Sequence, residues 1–274
     1  YQFKNLGLII IDEEHRFGVK QKELLKNHRS TANILTLSAT PIPRTLNMSL
    51  SKLRALSIIQ TPPADRLDII TQITYMDSLI VDNAIQREIQ RGGQVYFCIN
   101  DIAKLTIIKQ QLLEKHPDIT ITIAHGQMPA DSIKKAMQDF KAQVCQILVC
   151  TTLIESGIDI PSANTIIIYR ADLMGLSQLH QLRGRVGRSK LQAYAYLCIP
   201  KDYELQANAK SMLAALVNNQ KVGSGFNIAM QDLEIRGAGS LLGAKQSGIM
   251  QQLGMATYLK LLQNSINAQL NNSQ

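Results

Sequence analysis

Short unbroken runs of apolar residues alternate along this chain with stretches in which apolar positions recur every three or four residues. The chain opens on such a run, Leu6 to Ile11, which passes directly into Asp12-Glu13-Glu14-His15. A run of that kind predicts a fully buried parallel strand with acidic residues at its C-terminal end. A helix-compatible stretch leads to a second short run, Ile34 to Leu37, which ends at Ser38-Ala39-Thr40 ahead of Pro41 and Pro43. Polar residues thus follow two successive strand ends. The segment Thr61-Pro62-Pro63-Ala64-Asp65 has linker composition and marks a boundary.

After that boundary the two rhythms alternate for well over a hundred residues. Ala84, Ile85 and Ile89 share one helical face closed by Gly92-Gly93, and Val95 to Ile99 reads as a buried strand. Ile102, Leu105, Ile108 and Leu112 mark a helix, Ile119 to Ala124 an alternating strand, and Ile133, Met137 and Phe140 another helix. Three further strands are expected at Ile147 to Cys150, Ile166 to Tyr169 and Ala193 to Ile199. Repeated strand–helix units predict an α/β fold, a parallel sheet with helices on both faces and ligands at the C-terminal ends of its strands. From Lys201 onward the strand signal stops. Helix patterns flank a glycine-rich segment, Gly237 to Gly248, and predict a small helical appendage; the polar end from Asn264 to Gln274 is expected to fray.

Composition narrows the classes. With 274 residues, 45% hydrophobic and 18% charged, the chain is long enough for more than one folded unit and unlike a disordered tail. Its net charge of +8 favours a polyanionic partner, nucleic acid or acidic lipid, although a merely basic soluble protein fits as well. No segment approaches the roughly 20 apolar residues of a membrane helix and no secretory pattern opens the chain, so a cytoplasmic protein is expected. Cys98, Cys145, Cys150 and Cys198 lie in or beside strand-like runs without zinc-site spacing, and read as buried thiols.

Three segments can carry chemistry. Asp12 suits Mg²⁺, which takes oxygen ligands and keeps several waters, and Glu13 could orient or deprotonate a water attacking a phosphate. Acid pairs after strands also serve as helix N-caps. Ser38 and Thr40, at a neighbouring strand end, could hydrogen-bond those acids. In Thr151-Thr152-Leu153-Ile154-Glu155-Ser156-Gly157-Ile158-Asp159-Ile160-Pro161, hydroxyls and backbone amides suit a DNA phosphate. Gly157 would allow close backbone approach, and Asp159 could bond a ribose or an arginine; a structural turn capped by Asp159 is the alternative. The segment Gln178 to Arg188 sets Arg183, Arg185 and Arg188 among glycines. Guanidinium groups match phosphate oxygens bidentately, so Arg185 and Arg188 are candidate arginine fingers. A basic helix facing solvent or nucleic-acid backbone remains open, chiefly for Arg183.

Taken in order, the acidic tetrapeptide, Ser38-Ala39-Thr40, the Gly157 to Pro161 segment and the glycine–arginine segment resemble motifs II, III, V and VI of superfamily 2 helicases. Within that superfamily the chain resembles the RecG and Mfd branch of duplex-DNA translocases. Asp12 to Val19 with Thr40-Pro41-Ile42-Pro43-Arg44-Thr45 carries that resemblance, together with Gln231 to Gly239 through Leu241-Leu242-Gly243 to Gln246-Ser247-Gly248, which looks like a translocation motif. His125-Gly126-Gln127-Met128, Ile158 to Thr165 and Arg170-Ala171-Asp172 look more like Mfd, the bacterial transcription-repair coupling factors, than RecG.

The resemblance implies two RecA-like lobes closing on ATP and Mg²⁺. It makes residues 1–62 the C-terminal part of the first lobe, 63–200 the second lobe and 201–274 the translocation hairpin with its extension. It implies Asp12, Glu13, Arg185 and Arg188 as catalytic, with Asp12 holding Mg²⁺ through water. His15, Ser38, Thr40, Gly157, Asp159 and Gln181 would line the nucleotide, and Arg44, Gly126, Thr151, Thr152, Arg236 and Gln246 would engage or couple to DNA. Expected partners are double-stranded DNA and, through regions outside this chain, RNA polymerase and an excision-repair damage-recognition protein. The phosphate loop GxxxxGK[ST] of the family is absent from the 274 residues, so the chain is expected to be an excerpt that does not hydrolyse ATP alone. Two alternatives stay open: a RecG-type fork-remodelling helicase, and a non-catalytic DNA-binding module.

Overall fold

The computed structural model describes residues 5–13, 17, 32–39, 57–59, 61, 66–76, 78–152, 159–221 and 223–236. The chain divides into two compact units, one of residues 1–57 with 237–274 and the other running from Ile58 to Arg236. In the first, β1 (Leu8–Asp12) pairs in parallel with β2 (Asn33–Leu37), Asp12 opposite Leu37. The expectation of a fully buried strand is corrected here: Ile11 is buried, but Leu8 and Ile10 are exposed, as are Leu35 and Leu37. Among the described residues β1 and β2 pair only with each other.

The second unit is a six-stranded, wholly parallel sheet in the order β3-β8-β7-β4-β6-β5. Its strands are β3 (Ile70–Tyr75), β4 (Gln94–Ile99), β5 (Ile121–Ala124), β6 (Ile147–Cys150), β7 (Ala163–Tyr169) and β8 (Tyr194–Ile199). The helices are α1 (Leu79–Gln90), α2 (Ile102–Lys115), α3 (Ala130–Lys141), α4 (Leu176–Arg183), α5 (Ala207–Asn218) and α6 (Gly225–Arg236). The period-2 alternation of each strand sends side chains to both faces, and both are covered. Val95, Phe97 and Ile99 of β4 pack with Val81, Ile85, Leu105 and Leu112 of α1 and α2. Tyr96 and Cys98 face the opposite way, into a cluster with Phe140, Leu179, Leu182, Leu216 and Ile228 of the later helices. Each large side chain fully buried in these clusters contributes roughly 1.5–3 kcal/mol. The sheet is thus the doubly wound α/β arrangement that the strand–helix alternation predicts.

β3 is the element that the hydrophobic pattern misses. Its residues Ile-Thr-Gln-Ile-Thr-Tyr lie on an edge strand, where Ile70, Ile73 and Tyr75 stay exposed while Thr71 and Thr74 are buried, so no apolar face repeats every second residue. Two glycines are dictated by close approach. A Cβ on Gly93 would lie 1.8 Å from Glu88 Oε1, the carboxylate that Arg91 grips at 2.5 Å and to which the Thr165 hydroxyl donates. Gly187 combines φ +75° with Ile69 Cγ1 3.1 Å from where its Cβ would stand. The four cysteines are buried and unpaired, with Cys98 and Cys150 opposite one another on β4 and β6 at 3.8 Å between sulfurs. Among the described residues no helix is long and apolar enough to cross a membrane.

Candidate functional site

The candidate residues fall into three groups, each placed by strand pairing. In the first unit, Asp12 ends β1 and is exposed, while Ser38 follows the end of the neighbouring strand β2. The Glu13 amide donates to the Leu37 carbonyl at 3.0 Å, which ties the acid pair to the strand end that carries Ser38. Glu13 has φ +51°, a left-handed conformation unusual for a side chain of its size. A single open carboxylate at a strand end, with room for water around it, fits a Mg²⁺ ion held largely through its hydration shell. His15, Thr40 and Arg44 lie outside the described residues.

The second group sits at the C-terminal end of the six-stranded sheet. The Thr151 amide donates to the Ala124 carbonyl at 3.2 Å and extends the β5–β6 ladder by one bond, so Thr151 and the exposed Gly126 stand on adjacent strand ends. Thr151 is buried, and its hydroxyl has no hydrogen-bond partner among the described residues. His125 Nδ1 beside it is likewise buried without a partner, and Thr152 is half-buried. Unpaired donors and acceptors inside a fold are uncommon and mark places where a ligand can complete the bonding. Leu153 to Ile158, Gly157 included, lie outside the described residues, as do Gln246 and the glycine-rich segment; Arg236 is the last residue of α6.

The third group surrounds the turn that leaves α4. The Arg185 amide donates to Leu182 O at 3.0 Å and that of Val186 to Arg183 O at 3.3 Å, so the chain winds tightly out of the helix before Gly187 reverses it. Gly187 then packs on Ile69 and Ala193, the residues that immediately precede β3 and β8, and Ser189 Oγ donates to Asn164 Oδ1 at 2.7 Å near the start of β7. The arginine turn therefore lies at the N-terminal end of the sheet. The reason is topological: α4 follows β7 and must return to that end before β8 can run parallel.

Arg188 is exposed and its Nη1 lies 3.3 Å from Asp159 Oδ1, a carboxylate 59% exposed. Of the two partners open to Asp159 in the sequence, it meets the arginine. Such a surface pair contributes about 0–1 kcal/mol, little enough to exchange for a stronger anion. Arg185 is half-buried, and the two guanidiniums partly offset the effect of burial, which raises the Tyr96 phenol far above its ordinary range. Gln181 is half-buried on α4.

Arg183 points the other way. It is 3% exposed, donates through Nη1 to Leu216 O at 2.9 Å and approaches Ser224 Oγ at 3.4 Å with Nη2. The reading of a basic helix turned to solvent or nucleic-acid backbone is corrected for this residue. Burial lowers its guanidinium to about 10, an effect that Asp68 opposes. Ser177 Oγ of α4 also donates to Asp232 Oδ2 of α6 at 3.1 Å, so three polar contacts tie the arginine-bearing helix to the helical hairpin. His180 on the same helix is held at about 4, by burial and then by Arg183. Sequence reasoning passed over this support, and also over Arg66, whose only signal was a cation beside a proline pair.

Comparison with known proteins agrees with this architecture. The description "Helicase conserved C-terminal domain" matches residues 60–190 and "DEAD/DEAH box helicase" matches residues 1–49. The chain is 54% identical to the transcription-repair-coupling factor of Escherichia coli (strain K12), over 97% of this chain and 23% of that protein. It is 53% identical to the transcription-repair-coupling factor of Myxococcus xanthus, over 96% of this chain and 22% of that protein. The chain thus spans about a quarter of the length of these relatives. Among solved structures, RecG bound to a three-way DNA junction superposes with a TM-score of 0.70 at 34% identity, covering 96% of this chain and 34% of that one. S. cerevisiae Dbp5 bound to RNA and ADP BeF3 has a TM-score of 0.57 at 12% identity, over 79% of this chain and 58% of that one, a likeness of fold alone. With parallel sheet, motif order and relatives all in agreement, the chain belongs to the superfamily 2 helicases, in the branch that holds RecG and the transcription-repair-coupling factors.

Proposed function

We propose that the chain is part of an ATP-driven motor that moves along double-stranded DNA, in a larger protein that displaces stalled RNA polymerase and couples transcription to excision repair. On this reading residues 1–62 close a first lobe, 63–200 form the second, and 201–274 hold the hairpin and extension that transmit movement. The observation that carries it is the arginine turn, with Arg188 exposed and held by one weak ion pair. Arg188 can leave Asp159 for phosphate at little cost, and Arg185 beside it is already partly desolvated, which strengthens its pull on an anion. A bound nucleoside triphosphate would supply, through its hydrolysis, the free energy that drives the motor. Asp12 would hold its Mg²⁺ through water, and Glu13, within reach of the same strand end, would orient or deprotonate the attacking water. Ser38 would report the state of the acids, while His15, Thr40, Gly157 and Gln181 would complete the nucleotide's surroundings.

DNA contact falls to the other end of the sheet in this proposal. The Thr151 hydroxyl, Thr152 and the backbone near Gly126 would take phosphates of one strand, with Arg44 gripping from the first lobe and Arg236 and Gln246 relaying closure. The hairpin's bonds to α4 through Arg183 and Ser177 support such a relay, since a shift of the turn moves a body to which it is fastened. The test is Arg188→Ala in the full-length protein: ATP turnover and translocation are expected to fall by about 10³-fold, as for other arginine fingers, with duplex binding retained. Unimpaired turnover ends the assignment. The 34% identity to RecG favours a second reading, a fork-remodelling motor. Release of stalled polymerase by the full-length protein, against regression of a model fork, separates the two.

A further inference from the structure

The segment entering β3 carries an arginine that the sequence leaves beside a linker. Arg66 stands three residues ahead of Ile69, whose side chain packs against Gly187, and the Asp68 carbonyl accepts from Gln192 Nε2 at 2.6 Å. The Ile70 amide donates to Ala193 O at 3.0 Å. Residues 66–70 are therefore laid along the arginine turn and the strand that follows it, fastened at several points. Arg66 itself is half-buried, and its Nε is closed off from solvent with no acceptor among the described residues. Burial and then the charge of Arg188 hold its guanidinium below its ordinary value, while Asp159 acts in the opposite sense. Two guanidiniums thus share the influence of one carboxylate, and that carboxylate is already engaged with Arg188 at 3.3 Å. A partly desolvated cation with an idle donor and a like charge beside it is stabilised most by an anion.

We infer that Arg66 is a further phosphate-binding residue of this motor, its guanidinium joining Arg188 on the oxygens of one polyphosphate, with Asp159 as the counter-charge that holds Arg188 until the anion arrives. The inference rests on the nucleotide reading of the arginine turn. The planar fork of a second guanidinium adds directed donors to the same anion, which a lone Arg188 cannot supply. Phosphate occurs both in the nucleotide and in the DNA backbone, and the inference commits to the nucleotide because Arg66 lies at the end of the sheet opposite Gly126 and Thr151.

The experiment uses the full-length protein with Arg66→Gln, Arg66→Lys and Arg188→Ala, measuring KM and kcat for ATP, duplex Kd and thermal midpoint. Loss of a charged hydrogen bond is expected to raise the ATP KM of Arg66→Gln about 10-fold or more, with duplex Kd and midpoint unchanged and Arg66→Lys recovering part of the loss. Unchanged KM and kcat in Arg66→Gln, beside lost turnover in Arg188→Ala, overturns this inference and leaves the nucleotide reading standing. Full turnover in Arg188→Ala overturns the reading beneath it. Weaker duplex binding at unchanged KM assigns Arg66 to DNA, and a lowered midpoint in both Arg66 variants assigns it to the fold; either result overturns the inference.

Discussion

The two ends of the six-stranded sheet differ in the chemistry they offer. At the C-terminal end stand the exposed backbone of Gly126, the Thr151 hydroxyl and His125 Nδ1, both without a partner among the described residues, and the Arg170–Asp172 pair that follows β7. At the N-terminal end stand Arg185 and Arg188, with Asp159 paired to Arg188 and acting on Arg66 as well. Hydroxyls and amides can hold a phosphate without a full charge. Guanidiniums concentrate positive charge where a compact polyphosphate needs it. On the proposed function, the DNA grip and the nucleotide grip lie apart by the full length of the strands.

The charged end has a buried support, and removing it should have the largest effect. Arg183→Ala is expected to destabilise the chain by roughly 3 kcal/mol or more, because it leaves Leu216 O without its donor and opens space under α4. Urea unfolding with an unchanged midpoint would mean that the turn is not braced from below. A second effect of comparable size comes from His180, whose folded-state value of about 4 lies below the 6.5 of an ordinary imidazole. Between those values the unfolded chain binds the proton and the folded one does not, so stability falls as pH drops from about 6.5 towards 4, by about 3 kcal/mol from this group. His180→Asn should flatten that part of the pH profile relative to wild type; parallel profiles would place the proton elsewhere. The smallest effect belongs to the C-terminal end. Thr151→Val removes a hydroxyl without a partner among the described residues, so stability should move by less than about 1 kcal/mol while duplex affinity of the full-length protein weakens roughly 10-fold at constant ATP KM. A raised KM with intact DNA binding would reverse the two ends.

Much of the fold is legible because local period and burial agree. The runs at 95–99 and 147–150 are strands buried on both faces, and the three-to-four spacing at Ile102, Leu105, Ile108 and Leu112 is a helix with one face in the core. β3 escaped because an edge strand need not alternate, and β1 is less buried than its composition implies because only one strand pairs with it among the described residues. The candidate residues were recognisable by type, since acids, hydroxyls and arginines in that order restrict the chemistry. Their direction was not: Arg183 and Arg188 are five positions apart, yet one braces α4 from beneath and the other reaches solvent.

Sequence by itself determined that this chain is a parallel α/β protein with acids, hydroxyls and arginines after its strands and helices, because periodicity and side-chain chemistry are local properties. Tertiary structure alone decided that Thr151 and Arg188 occupy opposite ends of one sheet, and that Arg66 lies along a turn more than a hundred residues away. The physical reason is the pairing of β3 with β8, a long-range choice made by backbone hydrogen bonds and shared burial, to which no local spacing of residues 66–75 or 188–199 points.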